Sequence, residues 1–331
     1  MGHRGLLLLP FFGLLECSGS AERVVARCAD EPANVGAPAE VVVADVDARE
    51  LALDETDLYA VDTPNLVRIP KAGGDARRIL RASIGRLSVD ARHVYFTGTA
   101  VDGTRRTGIW RLDKATLEVR QLIDEPEPGD LVADGSVTSA IASGAAATTS
   151  VSKVLYWVNK PAGMIRRLRL DDDAAQPEDF APAPHFSADL VTDREKLYFA
   201  TASPKALRSV TIATREAATV ATFEHFPNIP LVVDRVNAYV RLPFDLTSFP
   251  KDGGPPRIAA SDATPYGAAA DGKNLYWTDI SQCSVRAFDV AAGSTRTVVG
   301  GQREPAALAI DDAYVYWAVA KDRLLLRTPK L

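Results

Sequence analysis

Short alternating runs of apolar and polar residues recur along this chain in a fixed order. Leu51-Ala52-Leu53-Asp54 leads to Leu58-Tyr59-Ala60-Val61-Asp62, and Leu87-Ser88-Val89-Asp90 leads to Val94-Tyr95-Phe96-Thr97. Leu190-Val191-Thr192-Asp193 leads to Leu197-Tyr198-Phe199-Ala200, and Leu231-Val232-Val233-Asp234 to Ala238-Tyr239-Val240. Ala268-Ala269-Ala270-Asp271 leads to Leu275-Tyr276-Trp277-Thr278-Asp279, and Leu308-Ala309-Ile310-Asp311 to Val315-Tyr316-Trp317-Ala318. In all six copies the Asp precedes the Tyr by five residues. Runs this short, rich in β-branched and aromatic residues, predict strands.

A seventh copy is degenerate. Val154-Leu155-Tyr156-Trp157-Val158-Asn159 is a clear second half, with Val151 where the Asp should stand. Leu131-Val132-Ala133-Asp134 reads as its displaced first half, separated by an Ala/Ser/Thr-rich insertion at about 135–152. The seven tyrosines are spaced 36, 61, 42, 41, 37 and 40 residues apart, so only the step that carries the insertion is anomalous. A period of about forty residues filled with short strands predicts a β-propeller.

Each copy continues into two more strands. Leu66-Val67-Arg68-Ile69, Ile109-Trp110-Arg111-Leu112 and Val285-Arg286-Ala287-Phe288 alternate in the same way. Matching turns follow at Pro70-Lys71-Ala72-Gly73-Gly74 and Pro250-Lys251-Asp252-Gly253-Gly254, where glycine supplies the positive φ of a tight hairpin. A fourth strand comes next, for example Ala217 to Thr222. The expected fold is all-β: a seven-bladed propeller of four-stranded antiparallel blades, with six blades as the alternative if the degenerate copy is incomplete. The last copy stops at Arg327-Thr328-Pro329-Lys330 without a fourth strand, and Val41-Val42-Val43-Ala44 precedes the first copy. The N-terminal strand should therefore complete the last blade and close the ring, which removes an exposed sheet edge.

The first twenty residues are a different material. His3 and Arg4 precede an apolar run from Gly5 to Leu15, followed by small residues up to Ala21. The run has the length of a signal-peptide core and is too short to span a bilayer. The expected organisation is a signal peptide at 1–20, a linker at 21–39 and the propeller at 40–331. Leu14-Leu15-Glu16-Cys17 resembles the bacterial lipoprotein box, except at Glu16 where that box has a small residue. Cys17 is thus a candidate for lipidation, with ordinary cleavage before Ala21 as the rival. Either route exports the protein, to the periplasm, the outer envelope or beyond. Export puts the remaining cysteines, Cys28 and Cys283, in an oxidising compartment, where a disulfide between them and two buried thiols are both open readings. The net charge of -5 comes from 38 basic and 43 acidic residues, well mixed, and removes the electrostatic case for nucleic acid.

Tyr276-Trp277-Thr278-Asp279 spells the YWTD motif, and the other copies are weaker variants of it. The chain resembles the YWTD and TolB-like propellers over roughly 41–331, although those commonly have six blades. The resemblance implies a binding or scaffolding ring and no particular ligand.

Three sets of residues invite a chemical reading. The repeated Asp residues look like a carboxylate array, but recurrence in every blade marks them as turn caps. The repeated Tyr and Trp are expected as core between blades. His185 and His225 each lie just before the innermost strand of neighbouring blades, where they could meet Asp189 or Glu224 on a metal or anion. Two histidines without a third ligand are more simply solvated loop residues, and no metal site is assigned. Ser150-Val151-Ser152-Lys153 has the S-x-x-K spacing but leads into a strand, where that chemistry needs a helix. No catalytic set and no cofactor motif stands out. The reading is a non-enzymatic exported propeller, monomeric, that binds a protein, glycan or small ligand at one mouth of the ring. A membrane would be met only through a lipid anchor. The alternative is a propeller enzyme of the lactonase, strictosidine-synthase or lyase sort, with a metal or general base in the channel.

Overall fold

The computed structural model describes residues 37–99, 106–135, 151–243 and 245–331. Its strands form seven four-stranded antiparallel sheets, and each is one blade. The first blade is typical: β2 (Leu51–Leu53), β3 (Asp57–Asp62), β4 (Asn65–Pro70) and β5 (Arg77–Arg81) lie side by side in chain order from the channel outward. The chain is a seven-bladed propeller, and the six-bladed alternative falls.

The third blade shows why its copy looked broken. Val132 of β10 (Pro128–Ala133) pairs with Tyr156 of β11 (Val154–Asn159), as the intact copies pair their equivalents. The Asp134 carboxylate accepts the Lys153 amide at 2.8 Å, so the turn is closed across the insertion. Residues 136–150 of that insertion lie outside the described residues, as do the expected signal peptide at 1–20 and nearly all of the expected linker at 21–39.

The ring closes as expected. The seventh blade consists of β26 (Pro305–Ile310), β27 (Tyr314–Val319) and β28 (Leu324–Pro329), and β1 (Glu40–Ala44) adds its outer strand with Val41 opposite Leu326. Closure joins both ends of the chain to one sheet, so opening the ring would require breaking that sheet.

The cores lie between blades. One apolar cluster joins Ala52, Tyr59 and Leu66 of the first blade to Leu87, Val94 and Phe96 of the second, and similar clusters follow around the ring. The repeated tyrosines Tyr59, Tyr95, Tyr156, Tyr198, Tyr239, Tyr276 and Tyr316 are all fully buried there. The repeated Asp explains the five-residue spacing. Asp54 Oδ1 accepts the amides of Thr56 and Asp57 at 2.9 and 2.8 Å, and its Oδ2 accepts the Tyr59 hydroxyl at 3.0 Å. Asp90, Asp193, Asp234 and Asp311 hold Tyr95, Tyr198, Tyr239 and Tyr316 in the same way. One carboxylate thus caps the turn and satisfies a phenol that burial would otherwise leave without a partner.

Candidate functional site

Because strands alternate in direction, every innermost strand begins at the same mouth of the channel, and the capping Asp sits at the other. At the entry mouth the ladders are irregular. The register slips between Pro128 and Leu131, Ala188 and Leu190, Asn228 and Leu231, Pro265 and Ala268, and Pro305 and Leu308. A bulge turns one residue out of the pleat and frees its backbone from the ladder. The same register position, four residues before the capping Asp, lines a cavity in the channel in every one of the seven blades.

The residues at that position are Glu50, Arg86, Asp130, Asp189, Pro230, Gly267 and Ala307, in blade order. Four consecutive blades therefore present charge, and the next three present small or rigid uncharged residues. Arg86 joins the charged half. Its Nη1 donates to Glu50, its Nε to Asp130 at 2.7 Å and its Nη2 to Asp189 at 3.0 Å. Two carboxylates also hold the neighbouring backbone. Asp130 Oδ2 accepts the Leu190 amide at 3.2 Å, and Asp189 Oδ2 accepts the Leu231 amide at 2.8 Å. Asp130 and Asp189 thus each capture an amide of the next blade, and with the Arg86–Glu50 pair the cluster stitches the first to fifth blades at the axis.

The uncharged half leaves room. A cavity of about 120 Å³ lies beside the cluster, with Leu87, Leu131, Leu190 and Leu308 on its inner side. Tyr266, 40% exposed, and Arg49, paired with Asp47 at 2.8 Å, also line it. Gly267 lets the sixth blade approach the seventh closely: a Cβ there would stand 2.5 Å from the Leu308 amide nitrogen. Asp189 holds an unusual backbone, with φ of 25°. Such strain in a non-glycine residue gathers at functional positions.

The electrostatics are lopsided. Three carboxylates face one guanidinium. Burial, then Asp130, pushes the Asp189 carboxyl up to about 7 against the pull of Arg86. Burial also raises Glu50 above its ordinary value, again opposed by Arg86. Burial works against the charge of Arg86, yet Asp130, Glu50 and Asp189 together hold its guanidinium above the usual range. A carboxyl that titrates near neutrality inside a cleft can hold or give up a proton in response to what enters.

Of the residues singled out from sequence, Asp189 lies in this cluster and the two histidines do not. His185 and His225 are both exposed. Asp189 is held by Arg86 and the Leu231 amide, and Glu224 offers its backbone carbonyl to Lys205 at 2.8 Å. Among the described residues no group of three or more His, Cys, Asp or Glu side chains is placed to hold a metal ion. Cys283 is buried and disulfide-bonded, and Cys17 and Cys28 lie outside the described residues. Sequence reasoning passed over Glu50, Arg86 and Asp130. The signal was present in the repeat: one column changes charge from copy to copy, whereas its neighbours keep Leu, Asp and Tyr.

Solved structures share this fold at low identity. Virginiamycin B lyase from Staphylococcus aureus matches with a TM-score of 0.62 at 12% identity, over 88% of this chain and 99% of that one. BamB from Moraxella catarrhalis matches at 0.53 and 10% identity, over 90% of this chain and 98% of that one. A nidogen/laminin complex matches at 0.50 and 18% identity, over 74% of this chain and 91% of the other. No protein-family model and no curated protein matches the sequence. At these identities the likeness concerns the fold, and the ring supports both binding proteins and an enzyme.

Proposed function

We propose that this chain is an exported, non-enzymatic binding propeller that takes up its partner at the entry mouth of the channel. The observation that carries this reading is the variable column. In a ring whose repeat keeps its Leu, Asp and Tyr, a position aimed into the channel carries a different side chain in most blades. Structure needs repetition, whereas recognition needs unique groups. The neighbours are compatible with such a role, since one is named for a nidogen/laminin complex and another for the extracellular domain of BT4673 from B. thetaiotaomicron. Export rests on the apolar run before Ala21, and a lipid anchor at Cys17 would tether the ring to a membrane.

The partner is a protein, a glycan or a small ligand. The test is a melting-temperature panel of peptides, sugars and small metabolites on the wild type, Tyr266→Ala and Glu50→Gln. One site filled at a hundred times Kd stabilises by about 2.7 kcal/mol, which a melting curve resolves. The reading expects a shift that both substitutions weaken. A shift indifferent to both moves the binding surface away from the mouth and overturns it.

One observation favours the enzymatic alternative, a propeller of lyase type. Asp189 titrates near 7 in a cleft, where a general acid or base works best. Mass spectrometry of each ligand found in the panel decides. Turnover that Asp189→Asn abolishes, with binding retained, would make the mouth an active site.

A further inference from the structure

We propose that the channel cavity receives a cationic group, a protonated amine or a guanidinium carried on a slender aliphatic stem. The inference rests on the mouth being the binding site and adds the class of ligand.

Among the described residues, Glu50, Asp130 and Asp189 are the ion-pair partners of Arg86. With all four ionised the cluster carries two more negative charges than positive, and with Asp189 protonated it still carries one. The facing half of the ring, Pro230, Gly267 and Ala307, supplies no cation. Arg49 also lines the cavity, 53% exposed, paired with Asp47 and close to the Tyr266 hydroxyl. An anionic ligand would meet uncompensated carboxylates in a poorly solvated channel, whereas a cation would relieve them.

Hydrogen-bonding capacity points the same way. A carboxylate accepts up to about four hydrogen bonds. Glu50 receives only Arg86 on its side chain, through Oε1, so among the described residues nothing donates to Oε2. Asp130 and Asp189 each accept one guanidinium bond and one amide. The set therefore accepts donors and offers none beyond the Arg86 guanidinium, which it has already engaged. Ammonium and guanidinium groups are donors only.

Size and surface complete the case. The 120 Å³ cavity is several times the roughly 10–15 Å³ that a single water needs by the same measure, enough for an ammonium head and a short stem. Tyr266 stands half-open at the lip, where an aromatic face stabilises a passing cation and covers an alkyl stem. The bond from Arg86 to all three acids shows that the set accepts a planar cation already.

The experiment is calorimetric titration, at constant ionic strength, of n-butylammonium, n-butylguanidinium, butyrate, n-butanol and a Gly-Gly-Lys-Gly-Gly peptide into the wild type, Glu50→Gln and Tyr266→Ala. The expected result is binding of the cations alone, weakened about tenfold or more by Glu50→Gln, as loss of one partner of a desolvated charge pair does. Binding by the peptide alone would assign the group to a basic protein segment, and binding by the small cations alone to a free amine; both support the class. Butyrate or butanol binding that Tyr266→Ala weakens overturns the cationic class and leaves the mouth reading standing. Binding of no probe overturns the class as well, and the broader ligand panel then decides the mouth by itself. If Glu50→Gln fails to fold, Tyr266→Ala carries the test: cation affinity unchanged by the loss of this lip residue overturns the proposal.

Discussion

Lys71, at the end of the third strand of the first blade, donates to the capping carboxylate of Asp311 in the seventh at 2.8 Å, joining residues 240 positions apart. The same clasp recurs. Lys114 reaches Asp54, Lys251 reaches Asp193 and Lys330 reaches Asp271, always from one blade to the one before it. Leu170, Ile212 and Val290 occupy the equivalent place in the other blades, as their shared backbone bond to the cap turn shows. The Asp of the second blade takes the Ser152 amide at 2.8 Å in place of a lysine.

Lys114 is the most deeply buried of the four lysines, and it also donates to the Asp90 carbonyl. Burial pulls its amine below the ordinary range, with Asp54 resisting. Lys114→Met removes one partner and leaves a largely buried carboxylate. The expected loss is about 3 kcal/mol in urea unfolding. A loss below about 1 kcal/mol would mean that Tyr59 and the turn amides suffice for Asp54.

Two carboxylates make opposite contributions to stability against pH. Burial opposes ionisation of Asp90, but hydrogen bonds from His93 and from the Ser152, His93 and Arg92 amides hold it down to about 2. Its stabilisation is present above its unfolded value of 3.8 and is lost as pH falls through about 2. Asp189, pushed up to about 7, is the reverse: its contribution is complete below 3.8 and is lost as pH rises through about 7. Unfolding free energy measured from pH 2 to 8 should decline on both sides. Asp189→Asn flattens the limb between about 4 and 7, and Asp90→Asn flattens the acid limb. An unchanged upper limb in Asp189→Asn would show that this carboxyl is ionised throughout.

Gly267 is the spacer of the mouth. A Cβ there would meet the Leu308 nitrogen at 2.5 Å and the Ala306 carbonyl oxygen at 3.0 Å, and backbone cannot swing aside as a side chain can. Gly267→Ala should cost about 1–3 kcal/mol by forcing the sixth and seventh blades apart at the axis. Thermal unfolding checks the cost, and a melting point equal to that of the wild type would show that the ring yields there.

Cys283 needs a partner, and the chain contains only Cys17 and Cys28 besides. Peptide mapping without reductant of the protein expressed with its N-terminal apolar run should find Cys28 joined to Cys283. It should also find Cys17 lipidated or removed. A Cys17–Cys283 peptide would reject both the pairing and the processing.

The sequence by itself determined the blade count, the ring closure and the caps. These depend on local spacing. Asp and Tyr meet because five residues separate them across one hairpin, and β1 (Glu40–Ala44) joins β28 (Leu324–Pro329) because each lacks what the other supplies. The degenerate third blade survives because Leu131–Asp134 still pairs once the insertion is set aside. Tertiary structure alone decided the site. Glu50, Arg86, Asp130 and Asp189 come from four blades and carry no common motif. They meet because a ring brings one register position of every innermost strand to one axis, and bulges at that position turn the side chains inward. His185 and His225 looked more chemical on the page, yet they lie on exposed loops. A long, flexible guanidinium reached three other blades, and no spacing rule along one chain anticipates which carboxylates such a reach will gather.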